Sequence, residues 1–233
     1  MVYRDIAKVL KIRINSSEYS LGDRLPPENK LADYYNISRT TLRKAINELQ
    51  KEGMIEARHG SGNFIIKKNF SANVTTLNGL SELAGSVGSV IHSKVINFEL
   101  ELASNALARH LNIKAGDEVF NIKRIRYLND SPMQVEETWM SLNLFPTLTI
   151  NHMRGSKYHF IEKECNIKVA GCFETFMPSI PTTEMAALLK ISVKDPIMRL
   201  EAQAIDLDNN PLDYSIIHAN MYEFQIKYFW PRV

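Results

Sequence analysis

Arg39, Thr40, Thr41, Arg43 and Lys44 follow directly on Ser38, and an apolar series, Leu42, Ala45, Ile46 and Leu49, runs among and behind them. Serine at that point caps a helix, and the apolar series has helical spacing, so one face packs inward. Long cationic donors and short hydroxyls then crowd the N-terminal end of the helix. A helix needs that chemistry when its N-terminus enters a DNA major groove. Five residues beyond Gly53 stands Arg58-His59-Gly60-Ser61-Gly62, a small cationic tip between two short apolar runs. It reads as a β-hairpin beside the helix. A second set of groups lies far along the chain, where Phe120, Ile122, Arg124, Arg126 and Leu128 alternate with their neighbours. In a strand, period two puts both arginines on the apolar, covered side. Buried guanidinium groups need anionic partners. These are either internal, from Glu136 or Glu137, or supplied by a ligand phosphate or carboxylate held bidentately. A two-residue hairpin loop brings Glu137 opposite the arginines and a three-residue loop brings Glu136.

The elements that position the first set are short. Residues 2–14 carry Ile6, Val9, Leu10 and Arg13 at helical intervals and predict a first helix. Leu21 to Glu28 is a turn, with Pro27 suited to the first position of a second helix over 28–35. Asn36-Ile37 then turns the chain into Ser38. Helix, helix, recognition helix and hairpin make a winged helix-turn-helix over residues 1–68. Residues 69–76 lie in a polar linker. From residue 77 onward an internal repeat is present. Residues 106–113, a strand over 119–128, a turn at 129–132 and a strand from 133 correspond to residues 185–191, a strand over 197–205, a turn at 206–211 and a strand from 212. Asp117 aligns with Asp195, Leu111 with Leu189 and Pro132 with Pro211. The expected assembly is an α+β domain, a mostly antiparallel sheet with helices on one face and a pseudo-twofold relation. The positions in the second copy that match Arg124 and Arg126 are Ala202 and Ala204, so this fold does not itself require arginine there.

Composition fits two such units in 233 residues. The net charge of +2 divides unevenly: residues 1–68 hold 13 lysines and arginines against eight acidic residues, +5, and the remainder holds 15 against 18, −3. The positive end is the part that would sit on phosphates. Two cysteines, Cys165 and Cys172, are too few for a disulfide framework and read as reduced thiols. His152, His159, Cys165 and Cys172 match no standard zinc spacing, so neither metal nor cofactor is expected. The N-terminus reads as an amphipathic helix without a signal-peptide core, and no apolar run approaches membrane-spanning length, which predicts a cytoplasmic location.

Gly22-Asp23-Arg24-Leu25-Pro26-Pro27-Glu28, Ile37 to Ala45, Leu49, Gly53 and His59-Gly60-Ser61-Gly62-Asn63-Phe64 resemble the GntR family of bacterial transcription regulators. Family members often have Ser or Ala where Pro27 stands. The resemblance implies that Arg39, Arg43, His59 and Gly60 touch DNA, and the residue chemistry adds Thr40, Thr41, Lys44 and Arg58. Residues 77–233 resemble the UTRA effector domain of the HutC subfamily, with a chorismate lyase-like fold. The resemblance is carried by Arg124-Ile125-Arg126, Pro132, Glu136 ahead of Trp139, Gly155-Ser156-Lys157-Tyr158 and Leu212-Asp213-Tyr214-Ser215. It implies that Ser81, Arg124, Arg126, Ser156 and Tyr158 hold an effector phosphate, and that Glu136 and Asp213 meet sugar hydroxyls. The family often has Glu at Asp213, and an Arg and an Asp near His218 and Asn220. The expected protein is a homodimeric repressor that binds a pseudo-palindromic, double-stranded operator. Its expected effector is a small anionic molecule, by preference a phosphorylated sugar or sugar conjugate. The alternatives are an amino-acid-like or fatty acid effector, or a lyase-type enzyme, although no nucleophile–base pair stands out.

Overall fold

The computed structural model describes residues 3–16, 18–58, 60–68, 71–74, 91–128, 130–223 and 225–228. The chain divides into two compact units, Met1–Ser71 and Ala72–Val233.

In the first unit, α1 (Tyr3–Asn15), α2 (Glu28–Tyr34) and α3 (Arg39–Lys51) close around one core. Ile6, Leu10 and Ile14 of α1 meet Leu31 and Ala32 of α2 and Leu42, Ala45, Ile46 and Leu49 of α3. These are the helical-period positions, so burial follows the apolar stripe of each helix. Ser38 caps α3: its Oγ accepts from the Thr41 backbone N–H at 3.1 Å. Pro27 occupies the N-cap of α2 rather than its first helical position, and it offers no side-chain bond there. Its φ of −51° with ψ of 142° suits the residue before the helix, and Glu28 supplies the acidic first turn instead. Strands β1 (Ile55–Arg58) and β2 (Gly62–Ile65) pair antiparallel from Ile55↔Ile65 to Arg58↔Gly62, forming the wing. Gly62 has φ +103°, a backbone conformation that favours glycine, while a Cβ there would stand 2.8 Å from Arg24 Nε and need only shift that flexible side chain.

The expected linker is partly structured. Just before it, Lys68 Nζ donates to the carbonyls of Ser16 at 2.8 Å and Tyr19 at 2.6 Å, which fixes the end of the first domain. β3 (Ser71–Val74) pairs with β10 (Gln225–Tyr228). A strand whose partner lies at the far end of the chain leaves no local apolar pattern to read.

The second unit is built on a six-stranded antiparallel sheet. Its strands in chain order are β4 (Ile91–Leu102), β5 (Glu118–Leu128), β6 (Ser131–Ser141), β7 (Val169–Ser179), β8 (Ile197–Asp206) and β9 (Tyr214–Asn220). Across the sheet they run β4-β5-β6-β9-β8-β7. The order is a palindrome of the repeat, with the two copies joined where β6 meets β9. Each copy also carries an extra leading strand, β4 or β7. Helices α4 (Asn105–Leu111) and α7 (Thr183–Leu189) correspond in detail. Ser104 and Thr182 cap them, and Asn112 and Lys190 end them in the left-handed region at φ 51° and 54°. The Asp117 and Asp195 carboxylates accept from the backbone N–H of Lys114 at 3.0 Å and of Ser192 at 2.8 Å.

Helices cover both faces of this sheet, not one. α4 packs Leu107 and Leu111 near Val119 and Tyr214, and α7 packs Met185 and Leu189 against Ile125, Val135 and Ile197. The opposite face carries α5 (Ile150–Arg154), the single turn α6 (Lys157–His159) and a π-helical turn, Phe160–Glu164. These bury Met153, Phe160 and Ile161 against Phe120, Ile122 and Met140. β5 and β6 are apolar on both parities, and each such face needs its own cover.

Candidate functional site

The end of α3 that the sequence singled out is open. Arg39, Thr40, Arg43 and Lys44 are exposed and Thr41 is half-buried. The Thr41 hydroxyl lies 2.9 Å from Ser38 Oγ, so the cap also orients one of the hydroxyls. Arg43 meets Glu28 at 3.1 Å, an exposed ion pair of the weak kind that a phosphate or base edge displaces readily. Gln50 Nε2 donates to Asn63 Oδ1 at 3.0 Å and ties α3 to the wing. On the wing, Arg58 pairs with Glu56 at 2.9 Å and lies over the Phe64 ring at 4.5 Å, while Gly60 is exposed with φ +70°. His59 lies outside the described residues.

In the second unit the strand register brings the arginines and one glutamate to the same face. Leu128 pairs with Ser131 and Tyr127 with Pro132, but Arg126 pairs with Gln134 and Arg124 with Glu136. The hairpin loop is thus two residues long, yet Glu136 faces the arginines. A bulge at Met133 adds one residue to β6 and reverses the parity that loop length alone would give. Glu137 pairs with Lys123 on the other face and accepts from Asn121 Nδ2 at 3.3 Å.

Arg124 is 1 % exposed. Its Nε donates to Glu136 Oε2 at 2.7 Å, and one terminal nitrogen donates to the carbonyls of Met153 at 2.8 Å and Gly155 at 3.3 Å. Glu136 also accepts from the Thr138 hydroxyl at 3.1 Å and from Lys157 Nζ at 3.3 Å. Lys157 is in close contact with Asp213 and donates to Ser215 Oγ at 3.2 Å. Asp213 Oδ1 accepts from the Ala204 backbone N–H at 2.9 Å. Burial alone would push the Glu136 carboxyl up, but the charges of Arg124, Lys157 and Arg126 outweigh it and hold it below the ordinary carboxylate range. Burial, then the neighbouring Arg124 charge, pushes Arg126 down to about 10, with Glu136 acting in the opposite direction.

The sequence-predicted residues therefore divide. Arg124, Arg126, Glu136 and Asp213 are buried in one cluster, with Glu136 and Asp213 engaged by protein cations. Tyr158 is close enough for burial, Asp213 and Cys172 together to push its hydroxyl well above the usual range. Ser156 caps α6, accepting from the His159 backbone N–H at 3.3 Å. Ser81 lies outside the described residues. His152 stacks on Phe160 at 4.4 Å, with Nε2 3.2 Å from Glu164. Sequence reasoning missed Lys157, although a signal existed: Met153, Lys157 and Ile161 recur at four-residue intervals, and Lys157 stands where that stripe is otherwise apolar. It also missed Thr138, which shares a hydrogen bond with Ser215 at 2.9 Å.

A recognition helix with its wing and a separate sheet domain with a charged interior correspond to two known families. Residues 2–65 match the bacterial regulatory proteins of the gntR family and residues 86–224 match the UTRA domain. The chain belongs to the GntR family, with the winged-helix-plus-UTRA architecture of HutC-type members, and is a DNA-binding transcription regulator rather than an enzyme. It is 35% identical over 214 residues, 92% of this chain and 89% of the relative, to the mannosyl-D-glycerate transport/metabolism system repressor MngR of Escherichia coli (strain K12). It is 27% identical over 216 residues, covering 92% and 88%, to the probable fructoselysine utilization operon transcriptional repressor of the same strain. The crystal structure of PhnF from Mycobacterium smegmatis aligns over 99% of both chains with TM-score 0.68 at 20% identity, a likeness of fold.

Proposed function

We propose that this chain is a homodimeric repressor of a sugar-utilisation operon, released from its operator by a small anionic sugar derivative. Arg39, Thr40, Thr41, Arg43 and Lys44 would read or grip the operator, flanked by Arg58, His59 and Gly60 of the wing. The effector would bind beside Arg124, Arg126, Lys157 and Tyr158, with Ser81 and Ser156 adding hydroxyls. One observation carries the effector half of this reading: a buried cluster of three cations and two carboxylates, where the repeat's other copy has buried Ala202 and Ala204. The second copy's strand holds alanine at the two arginine positions, so the sheet itself does not require Arg124 and Arg126. One relative is named for a sugar joined to glycerate, which supports a sugar bearing an anionic group as the ligand class. Ligand binding would alter the packing of this cluster, bias the dimer away from its operator-competent form and derepress transcription.

The test is a thermal-shift screen of the full chain with phosphorylated sugars, glycosyl carboxylates and their uncharged parents, followed by operator titration with each hit. A ligand present at a hundred times its Kd stabilises by about 2.7 kcal/mol. The reading expects charged members to raise the Tm and weaken operator binding, and uncharged parents to do neither. Stabilisation by amino acids or fatty acids alone would overturn it.

A further inference from the structure

The ammonium group of Lys157 is buried among oxygen acceptors. Lys157 is 8 % exposed, and around its Nζ stand Glu136 Oε1 at 3.3 Å, Asp213 Oδ2 in close contact and Ser215 Oγ at 3.2 Å. An ammonium has three protons, and three acceptors meet it, so its hydrogen-bonding capacity is filled. The acceptors are themselves deeply buried, at 3 % for Glu136, 1 % for Asp213 and none for Ser215. Each carboxylate has a further anchor: Arg124 Nε on Glu136 and the Ala204 backbone N–H on Asp213. The pair is therefore held in place independently of the lysine, and the lysine occupies the space between them.

Two buried carboxylates converging with a hydroxyl make a site for an ammonium ion, and here the chain fills it with its own side chain. We infer that Lys157 sets effector specificity by reserving Glu136 and Asp213, so that the site formed by this cluster rejects ligands carrying an amine and accepts hydroxylated anions. A ligand ammonium would find both carboxylates taken and would face the Lys157, Arg124 and Arg126 charges at close range. A ligand phosphate or carboxylate would face those same charges as attraction. This inference rests on the cluster being the effector site, and it narrows the ligand class to anionic sugars without an amino group.

The experiment uses the full chain, with Lys157→Ala and the double variant Lys157→Ala/Asp213→Asn. Propylammonium replaces what Lys157→Ala removes. It is expected to raise the Tm of Lys157→Ala well above a matched sodium chloride control and to leave the parent and the double variant at their controls. If Lys157→Ala does not fold, Lys157→Met keeps the side-chain stem and ammonium chloride becomes the probe. No rise, or the same rise in all the proteins, would overturn the inference. The specificity arm compares glucose 6-phosphate with glucosamine 6-phosphate, which differ by one hydroxyl for ammonium exchange. Lys157→Ala should shift the affinity ratio toward the amine by about tenfold or more, the size of a charge-assisted hydrogen bond. An unchanged ratio also overturns the inference. If the parent binds neither sugar while propylammonium still rescues Lys157→Ala, the phosphosugar reading fails and the ammonium site stands.

Discussion

At the scale of single residues, the two groups of cations behave differently because one is exposed and the other buried. Arg39 and Arg43 are open to solvent, and the Glu28 partner of Arg43 costs little to displace. Replacing either with Ala should therefore leave the Tm near that of the parent and cost about 1–3 kcal/mol of specific operator binding, if each reads a base edge. Titration against operator and scrambled duplex measures both terms. Unchanged discrimination in both variants would refute the groove placement. Arg124 is the opposite case. Its loss strands Glu136 in the interior, and Arg124→Ala should lose about 3–5 kcal/mol of stability with or without ligand. Loss of stability in this variant is thus expected even if Arg124 also holds an effector, and only ligand affinity measured on folded protein separates the two roles. Glu136 adds a pH dependence. Its folded pKa lies below its ordinary value of 4.5, so the unfolded chain takes up the proton first as pH falls. The stabilisation is full above about 4.5 and is lost progressively below it. Urea titrations at stepped pH should show a steeper acid loss in the parent than in Glu136→Gln, and parallel curves would rule this out.

At the scale of elements, caps and a bulge do most of the positioning. Ser38 holds the first turn of α3 and orients Thr41, so Ser38→Ala should cost about 1 kcal/mol of stability in the first unit and weaken operator binding beyond that through the freed Thr41. Calorimetry and operator titration on the same variant check both parts. The cap was legible in the sequence, as were the helical stripes of α1 and α3 and the repeat that pairs Asp117 with Asp195 and Leu111 with Leu189. The side of the sheet on which Glu136 falls was not. It depends on Met133, one extra residue in β6, and a bulge is a choice of the paired backbone rather than of any residue's local preference. The cover on both sheet faces was missed for a related reason. Alternation was read on one parity of β5, while Ile125 and Val135 were already available on the other.

At the scale of the whole molecule, charge is divided between the units, +5 over residues 1–68 and −3 over the rest. Operator affinity should fall steeply and linearly with log salt concentration, while effector affinity changes far less, because exposed phosphate contacts release counterions and buried pairs are screened weakly. Binding isotherms at several salt concentrations test this, and equal slopes would contradict it. A single winged unit covers one half-site, so the operator-bound form is expected to be a dimer. Sedimentation of the full chain and of residues 77–233 should give dimers at micromolar concentration, and a monomeric fragment would move the dimer contacts elsewhere.

The sequence by itself determined the winged helix-turn-helix, because capping, helical period and glycine-bearing turns act over a few residues and leave their mark in spacing. It also determined the duplicated core of the second unit, because both copies carry matching aspartates, leucines, prolines and strand pattern. The tertiary structure alone decided the partners of the buried charges. Lys157 lies on the Met153–Lys157–Ile161 stripe, which hints at burial in one dimension but names no partner. It becomes an interior cation only when α6 sits on the sheet beside Glu136, Asp213 and Ser215. The pairing of ions depends on distances between elements far apart in the chain, and those distances come from packing.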